Sequence, residues 1–139
     1  MRELAVYEND CVLASVESEL SNTLKTADLH IPRWLQVIDV GIGFAKTFEH
    51  NIQLLRPENI SHIKSSLGAR PMLVGPSRKR FLGTLLSQQG IDDEVETRDW
   101  ATAGACCASI LGGANILRVH NVKGVRSTCE IFYACVNSN

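Results

Sequence analysis

The sequence predicts an α/β fold in which helices pack on a parallel sheet of about three strands. Three short apolar segments, at residues 34–39, 71–75 and 114–120, lack the polar alternation of a half-exposed strand. Longer segments with apolar residues at helical spacing separate them. Such an order is typical of a small open parallel sheet or of part of a (β/α)₈ barrel. A whole barrel takes about 250 residues, so this chain of 139 residues could supply only its last units.

The first half of the chain contains three predicted helices. Residues 12–27 place apolar side chains at helical spacing, and the element ends before Pro32. Residues 47–55 follow the first strand and also have a helical pattern. Residues 57–67 open with a proline, which suits the first helical position, and Gly68 is the predicted C-cap.

The second half contains three more predicted helices. Residues 77–89 follow the second strand, with Ser77 as the candidate N-cap. An acidic connection at 91–97 is predicted to be solvated, and residues 98–113 form a helix that ends in two glycines. Residues 122–136 follow the third strand and predict a weak final helix, because they include a glycine and several β-branched residues.

Composition argues against several classes of function. The net charge of −1 gives no electrostatic basis for binding nucleic acid or a membrane surface, and no apolar run approaches the roughly 18 residues of a membrane span. We expect a soluble intracellular protein, since the first residues resemble neither a signal peptide nor a transit peptide. The five cysteines include no CxxC pair, so they indicate neither a disulfide framework nor a zinc site. Cys106 and Cys107 are expected to pack as compact apolar groups.

The segment from Asp39 to Thr47, DVGIGFAKT, is the first candidate site. Gly41 and Gly43 allow turns closed to other residues and let a ligand approach the main chain. Their spacing matches neither a P-loop nor the GxGxxG pattern of dinucleotide-binding folds. A carboxylate before the loop suits a ligand with two adjacent N–H donors, such as an aminopyrimidinone ring. The same carboxylate could instead cap its own loop, and the sequence leaves both roles open.

The other two strand ends carry basic groups. In GPSRKRFLG, Ser77 and a helix start could bind an anion, and either Arg78 or Lys79 could turn over the pocket. In RVH, Arg118 and His120 are two residues apart and would share one face of a strand, where two donors suit phosphate or pyrophosphate. The remaining histidines are expected to be structural: His30, His50 and His62.

Together these segments resemble dihydropteroate synthase, the pterin-binding enzyme of folate biosynthesis. DVGIGFAKT is similar to the family's D-P-G-[IF]-G-F-x-K signature, VGPSRKRFLG to its S-R-K motif, and NILRVHNV to its R-x-H-[DN]-V motif. The resemblance runs from about Pro32 to Val122, with Val40 in place of the family's proline, and is greatest to plant-type bifunctional proteins that also carry a hydroxymethyl-dihydropterin pyrophosphokinase domain. It implies one domain over residues 1–139 that forms the C-terminal portion of a TIM (β/α)₈ barrel.

The resemblance also implies a transferase reaction. The family condenses 6-hydroxymethyl-7,8-dihydropterin pyrophosphate with 4-aminobenzoate and releases pyrophosphate, with Mg²⁺ assisting and no protein nucleophile. By their positions in the motifs, Asp39 and Lys79 would bind the pterin, Gly43 and Phe44 would line the aminobenzoate pocket, Ser77 would hold the aminobenzoate carboxylate, and Arg118 with His120 would bind the pyrophosphate.

Half of the family's site is expected to lie outside this chain. The family's N-T-P-D-S-F-type loop, whose asparagine contacts the metal, has no counterpart in residues 1–31, so no metal ligand is expected here. A barrel of three strands would expose its inner face. Whether the chain is an enzyme by itself stays open. The alternative is a non-catalytic truncated paralogue that binds pterin weakly, or that associates with a full-length synthase. A homodimer and a mitochondrial or cytosolic location are further expectations from the resemblance.

Overall fold

The computed structural model describes residues 11–137, and in this part of the chain helices and strands follow the predicted order. The helices are α1 Val12–Ala27, α2 Phe48–Leu55, α3 Pro57–Ser66, α4 Arg80–Gln88, α5 Val95–Leu111 and α6 Val122–Val136; the strands are β1 Ile38–Asp39, β2 Met72–Val74 and β3 Ile116–Leu117. The predicted α/β class is confirmed.

The three strands form a parallel sheet with β2 in the centre. Asp39 lies opposite Leu73 in the first pair, and Val74 lies opposite Leu117 in the second. Since all strands run the same way, their carboxyl ends meet at one edge of the sheet. The segments that leave β1, β2 and β3 therefore emerge side by side.

The helices cover one face of this sheet. Ile38, Met72 and Val74 are buried in the main core together with apolar residues of α1, α2 and α3. The alternate strand positions face the other way, and Val37 and Ile116 are 50% and 41% exposed. The open inner face predicted for part of a barrel is therefore present.

A polar network centred on a buried arginine ties the end of α1 to the start of β2. Arg70 is 7% exposed and donates to both oxygens of Asp28 at 2.6 and 2.8 Å. Its Nε also donates to Gln36 Oε1 at 2.8 Å. Hydrogen bonds from Arg70 and then from Gln36 lower the pKa of the Asp28 carboxyl. These contacts hold the segment before β1 against the sheet.

The strands are shorter than predicted. Residues Arg33–Leu35 form a 3₁₀ turn, closed by a hydrogen bond from the Leu35 N–H to the Pro32 carbonyl, and Trp34 is 79% exposed. Only the end of the predicted segment 34–39 is left to pair with β2. At the other edge β3 ends at Leu117, so the predicted strand 114–120 was too long as well.

The prediction of Ser77 as a helix N-cap is wrong. α4 begins at Arg80 with Lys79 as its N-cap, and Ser77 is buried. The reason is the backbone of Arg78, whose φ of 56° lies in the left-handed region and cannot continue a helix. In contrast, α5 begins earlier than predicted. Its first residue is Val95, which lies inside the connection 91–97 that was predicted to be a solvated loop.

The packing role predicted for Cys106 is confirmed. Its side chain is fully buried against Ala103 and Val125, in a second cluster between α5 and α6. Burial raises the pKa of this thiol to about 12. Separately, no helix in the described residues has the length and apolar content needed to cross a bilayer.

Candidate functional site

The loop after β1 turns sharply three times. Gly41, Gly43 and Ala45 all have positive φ, of 68°, 76° and 49°. The carboxylate of Asp39 caps the first turn, since its Oδ1 accepts the Gly41 N–H at 2.8 Å. The capping role left open by the sequence is therefore real. It uses one carboxylate oxygen, and the residue itself remains exposed on the inner face.

Two polar side chains hold this loop from inside the protein. Asn51 of α2 is 2% exposed; its Oδ1 accepts the Gly43 N–H and its Nδ2 donates to the Thr47 carbonyl, both at 2.6 Å. The Lys46 ammonium donates to the Gly41 carbonyl at 3.0 Å. Burial lowers the pKa of Lys46, and the negative charges of Glu19 and then of Asp39 oppose that shift. Hydrogen bonds with Asn51 and Lys46 therefore hold the turns at Gly41 and Gly43 in place.

Lys79 lies in the segment after β2, and its side chain extends over the loop that follows β1. Its Nζ lies 3.9 Å from the centre of the Phe44 ring, within the range of a cation–π contact. Its methylene groups pass over Gly43, where an added Cβ would come 2.6 Å from Lys79 Cδ. Burial, and then the charge of Arg118, lower the pKa of Lys79, while Asp39 raises it. Gly43 is therefore needed for this close approach.

Arg78, the other basic candidate for the pocket, turns away from it. Its Nε and Nη2 donate to the Asp99 carboxylate of α5 at 2.8 and 2.9 Å. Its backbone N–H donates to the Thr102 hydroxyl at 3.2 Å. Hydrogen bonding from Arg78 is the main cause of the lowered pKa of Asp99. This pair anchors the turn that directs Lys79 to the loop.

The segment after β3 places Arg118 and His120 beyond the strand. Arg118 retains a backbone hydrogen bond to the Val74 carbonyl at 3.1 Å and lies beside Gly75, where an added Cβ would come 3.7 Å from Arg118 Cβ. His120 Nδ1 lies 2.9 Å from Ser77 Oγ. Both residues are exposed, whereas Ser77 is 2% exposed. The predicted second and third strand ends are therefore in direct contact.

A cleft of about 480 Å³ opens where the three segments meet. Its lining residues are Asp39, Ile42, Phe44, Leu73, Gly75, Lys79 and Arg118. Four of the predicted site residues thus share one cavity, and Gly43 borders it under the Lys79 side chain. Ser77 and His120 form a pair outside the residues that line it. The cleft combines one carboxylate, two cations and an aromatic ring, a set suited to a polar flat ring carrying an anionic group.

Comparison with known proteins identifies the family. The sequence model for the family described as "Pterin binding enzyme" matches residues 1–120. The chain belongs to the pterin-binding enzyme family. The match extends the resemblance from about residue 32 back to residue 1, and it stops before α6.

The chain is similar to individual proteins of folate synthesis. It is 42% identical over 120 residues, 82% of the chain, to the mitochondrial "Folate synthesis bifunctional protein" of Arabidopsis thaliana, of which it covers 21%. Its fold matches the crystal structure of dihydropteroate synthase from Stenotrophomonas maltophilia, with a TM-score of 0.86, 32% identity and coverage of 100% of this chain and 49% of that one. Dihydropteroate synthase from Thermus thermophilus, solved in complex with 6HMPPP and with 4-aminobenzoate, has a TM-score of 0.79 and 32% identity over 96% of this chain.

The chain spans about half the length of these solved synthases and about a fifth of the Arabidopsis protein. The partial barrel expected from the sequence is confirmed by this match to half of each synthase.

The described residues do not form a metal centre. Between residues 11 and 137 no group of three or more His, Cys, Asp and Glu side chains could hold a metal ion. The cleft instead pairs the single carboxylate of Asp39 with the cations of Lys79 and Arg118. This donor set does not fit Mg²⁺, which prefers several oxygen ligands.

Sequence reasoning missed the residues that support the loop and the turn. Asn51 gives no motif signal, although a polar residue on the same helical face as Leu54 and Leu55 is a sign of a buried hydrogen bond. Asp99 lies in the predicted helix 98–113, and the helical pattern does not indicate Arg78 as its partner. The pairing of Arg78 with Asp99 depends on the left-handed φ of Arg78, and the sequence does not indicate this φ.

Proposed function

We propose that this chain forms the C-terminal half of a dihydropteroate synthase site, which condenses 6-hydroxymethyl-7,8-dihydropterin pyrophosphate with 4-aminobenzoate. The observation that carries the proposal is the shared cleft, in which Asp39, Phe44, Lys79 and Arg118 come together from three separate motifs. The ligands named for the Thermus thermophilus structures support the choice of substrates.

Asp39 and Lys79 would bind the pterin ring. The Gly41 N–H uses only Oδ1 of Asp39, so Oδ2 could accept from the ring N–H or amino group. The Lys79 ammonium is held over the loop and could donate to the ring oxygen. The fixed positions of both groups limit the reorganisation needed on binding.

Phe44 and Gly43 would form the wall against which 4-aminobenzoate lies. Phe44 is 54% exposed beside the cleft, and the absence of a side chain at Gly43 leaves room close to the backbone. Ser77, with 2% of its surface exposed, would reach the aminobenzoate carboxylate only at the margin of the site.

Arg118 and His120 would bind the pyrophosphate. In the proposed reaction the arylamine nitrogen attacks the pterin methylene carbon, the carbon–oxygen bond breaks, pyrophosphate takes the electron pair, and the amine proton passes to solvent. Negative charge grows on the leaving group, and the fixed cations Arg118 and Lys79 would stabilise it. No protein nucleophile is needed, and the thiol of Cys106 is buried away from the cleft.

Mg²⁺ belongs to this proposal as a companion of the substrate pyrophosphate, where it would supply Lewis-acid assistance. The described residues offer no set of ligands for it. The roles derived above for Asp39, Lys79 and Arg118 do not pass through the metal.

A second candidate is a non-catalytic protein that binds pterin weakly, or that associates with a full-length synthase or with a second copy of itself. The observation in its favour is the apolar surface of α6, where Val122, Ile131 and Tyr133 are 62%, 70% and 56% exposed. Co-elution with a full-length synthase, without product formation, is the result expected for this candidate.

For location we propose the mitochondrion or the cytosol, because the Arabidopsis relative is named as a mitochondrial protein. Microscopy of the tagged protein in its native cell tests this. Signal confined to another compartment would refute it.

A chimeric enzyme tests the catalytic proposal. The N-terminal half of the Stenotrophomonas maltophilia synthase, joined to this chain, should convert the two substrates to dihydropteroate. Asp39→Asn should lower kcat/KM for the pterin substrate by roughly 10- to 150-fold, the range for loss of a hydrogen bond to a charged group. Asp92→Asn, in the exposed connection before α5, is the matched control and should have no effect. A folded chimera that forms no product would contradict the proposal.

A further inference from the structure

Among the described residues, the Ser77 hydroxyl has two hydrogen-bond contacts, and both are with His120. Its Oγ lies 3.1 Å from the backbone nitrogen of His120 and 2.9 Å from the ring nitrogen Nδ1. Within the described residues it has no other hydrogen-bond partner, and its surface is 2% exposed. The hydroxyl is therefore enclosed with His120 as its sole partner in that part of the chain.

The two contacts fix the direction of each hydrogen bond when the ring is neutral. A backbone N–H can only donate, so Ser77 Oγ accepts from the His120 amide. The hydroxyl hydrogen then needs an acceptor, and Nδ1 is the one within reach. If Nδ1 carried the ring proton instead, the hydroxyl hydrogen would be buried without an acceptor, which is costly. The geometry therefore favours an unprotonated Nδ1 and a proton on Nε2.

We propose that Ser77 is a positioning residue, which orients the His120 ring and selects the Nε2–H tautomer of its neutral form, so that this N–H is a donor to an anionic group bound beside Arg118. The inference rests on the proposed function in taking that group to be a pyrophosphate. It gives Ser77 a role different from the one implied by resemblance, in which the hydroxyl contacts the aminobenzoate carboxylate. His120 is exposed, and its Nε2 has no hydrogen-bond partner in the described residues.

The surroundings of Ser77 keep this arrangement in place. Pro76 before it is buried, and Arg78 after it is fixed by its backbone hydrogen bond to Thr102 and its ion pair with Asp99. On the other side, Asn121 caps α6 by accepting the Gly124 N–H at 3.0 Å, which fixes the residue next to His120. Neither partner can move without breaking these contacts.

Nuclear magnetic resonance of histidine nitrogens tests the proposal directly. In the chain labelled with ¹⁵N-histidine, the neutral ring of His120 should be in the Nε2–H form. Ser77→Ala should lower the ratio of the Nε2–H to the Nδ1–H form by roughly tenfold. Ser109→Ala is the matched control, because it removes another buried serine hydroxyl, which bonds to the Ala105 carbonyl at 2.8 Å, and should leave the ratio unchanged.

Two results would overturn the proposal: a neutral His120 ring in the Nδ1–H form in the parent chain, or an unchanged tautomer ratio in folded Ser77→Ala. The first of these needs no variant, so a failure of Ser77→Ala to fold does not remove the test. The tautomer ratio of His120 can be measured whether or not the chain has enzymatic activity.

Ligand titrations then separate this inference from the proposed function. With inorganic pyrophosphate and with 6-hydroxymethyl-7,8-dihydropterin pyrophosphate as probes, Ser77→Ala should weaken both, and Asp39→Asn only the second. Equal affinity of the parent chain and folded Ser77→Ala for inorganic pyrophosphate would also overturn the inference. The expected tautomer shift in Ser77→Ala, with no binding of either probe by the parent chain, would support the orientation of His120 by Ser77 and count against the proposed function.

Discussion

Replacement of Asn51 by alanine tests how the glycine loop is held. The substitution removes the acceptor for the Gly43 N–H and the donor to the Thr47 carbonyl, both in bonds of 2.6 Å, at a position that is 2% exposed. It removes one of the two internal supports of the loop and leaves the other, Lys46, in place, so the loop should become both less stable and more mobile.

The expected cost follows from these contacts. Two hydrogen bonds at about 1 kcal/mol each, and roughly 1 kcal/mol more for the buried group left unpaired, give a loss of about 2–3 kcal/mol in the free energy of unfolding. Asn51→Asp should be no better than alanine, because it keeps an acceptor for Gly43 but turns a carboxylate oxygen toward the Thr47 carbonyl.

The assay is urea unfolding combined with amide hydrogen exchange. Exchange at Gly43 should become faster in Asn51→Ala, and the urea midpoint should fall. Asn59→Ala is the control, because it removes one side-chain bond, to the Gln53 carbonyl at 2.8 Å, away from the loop, and should cost about 1 kcal/mol. A loss of less than about 0.5 kcal/mol in Asn51→Ala, with unchanged exchange at Gly43, would refute the reasoning.

Three further predictions concern the cleft and its surroundings. Gly43→Ala should displace Lys79 and weaken binding of the pterin substrate, whereas Gly90→Ala, at a φ of 68° with nothing within 4 Å of the added Cβ, should cost a similar backbone strain of about 1–2 kcal/mol without affecting binding; equal binding by both variants would argue against this. The pKa of Asp99 is lowered by its arginine partner, so its contribution to stability should be full above about pH 4 and be lost as the pH falls through its lowered folded-state pKa. Asp99→Asn should therefore flatten the dependence of the urea midpoint on pH below about 4, and an unchanged slope would refute the role of the pair. At pH 8 a thiol reagent should label the exposed cysteines well before Cys106, whose pKa is about 12; fast labelling of Cys106 in the folded chain would contradict its burial.

The sequence predicts the long helices well because their patterns are periodic over many residues. The bounds of α1, Val12–Ala27, and α6, Val122–Val136, match the predicted ranges. The strand at 34–39 was overestimated, because large apolar residues such as Trp34 were taken to be buried, and half of the sheet surface is in fact open. The apolar content of a segment does not show whether its side chains face the exposed inner surface of the sheet or the buried core.

At the site, the motifs bring Asp39, Phe44, Lys79 and Arg118 into one cleft, and the sequence had selected all four. The start of α4 was misplaced, because a serine before a helical pattern is a common N-cap signal while the left-handed φ of Arg78 has none. The support from Asn51 was missed because its partners are backbone atoms of the loop, which no side-chain pattern reveals.

The most direct test of the central claim is to map ligand contacts on this chain by two-dimensional ¹H–¹⁵N spectra during titration with 6-hydroxymethyl-7,8-dihydropterin pyrophosphate. The method detects weak binding, so it suits a chain that spans about half of the known synthases. The account predicts shifts concentrated in the loop from Gly41 to Phe44 and at Lys79 and Arg118. Shifts confined to α6, or none at millimolar ligand in a folded chain, would contradict it.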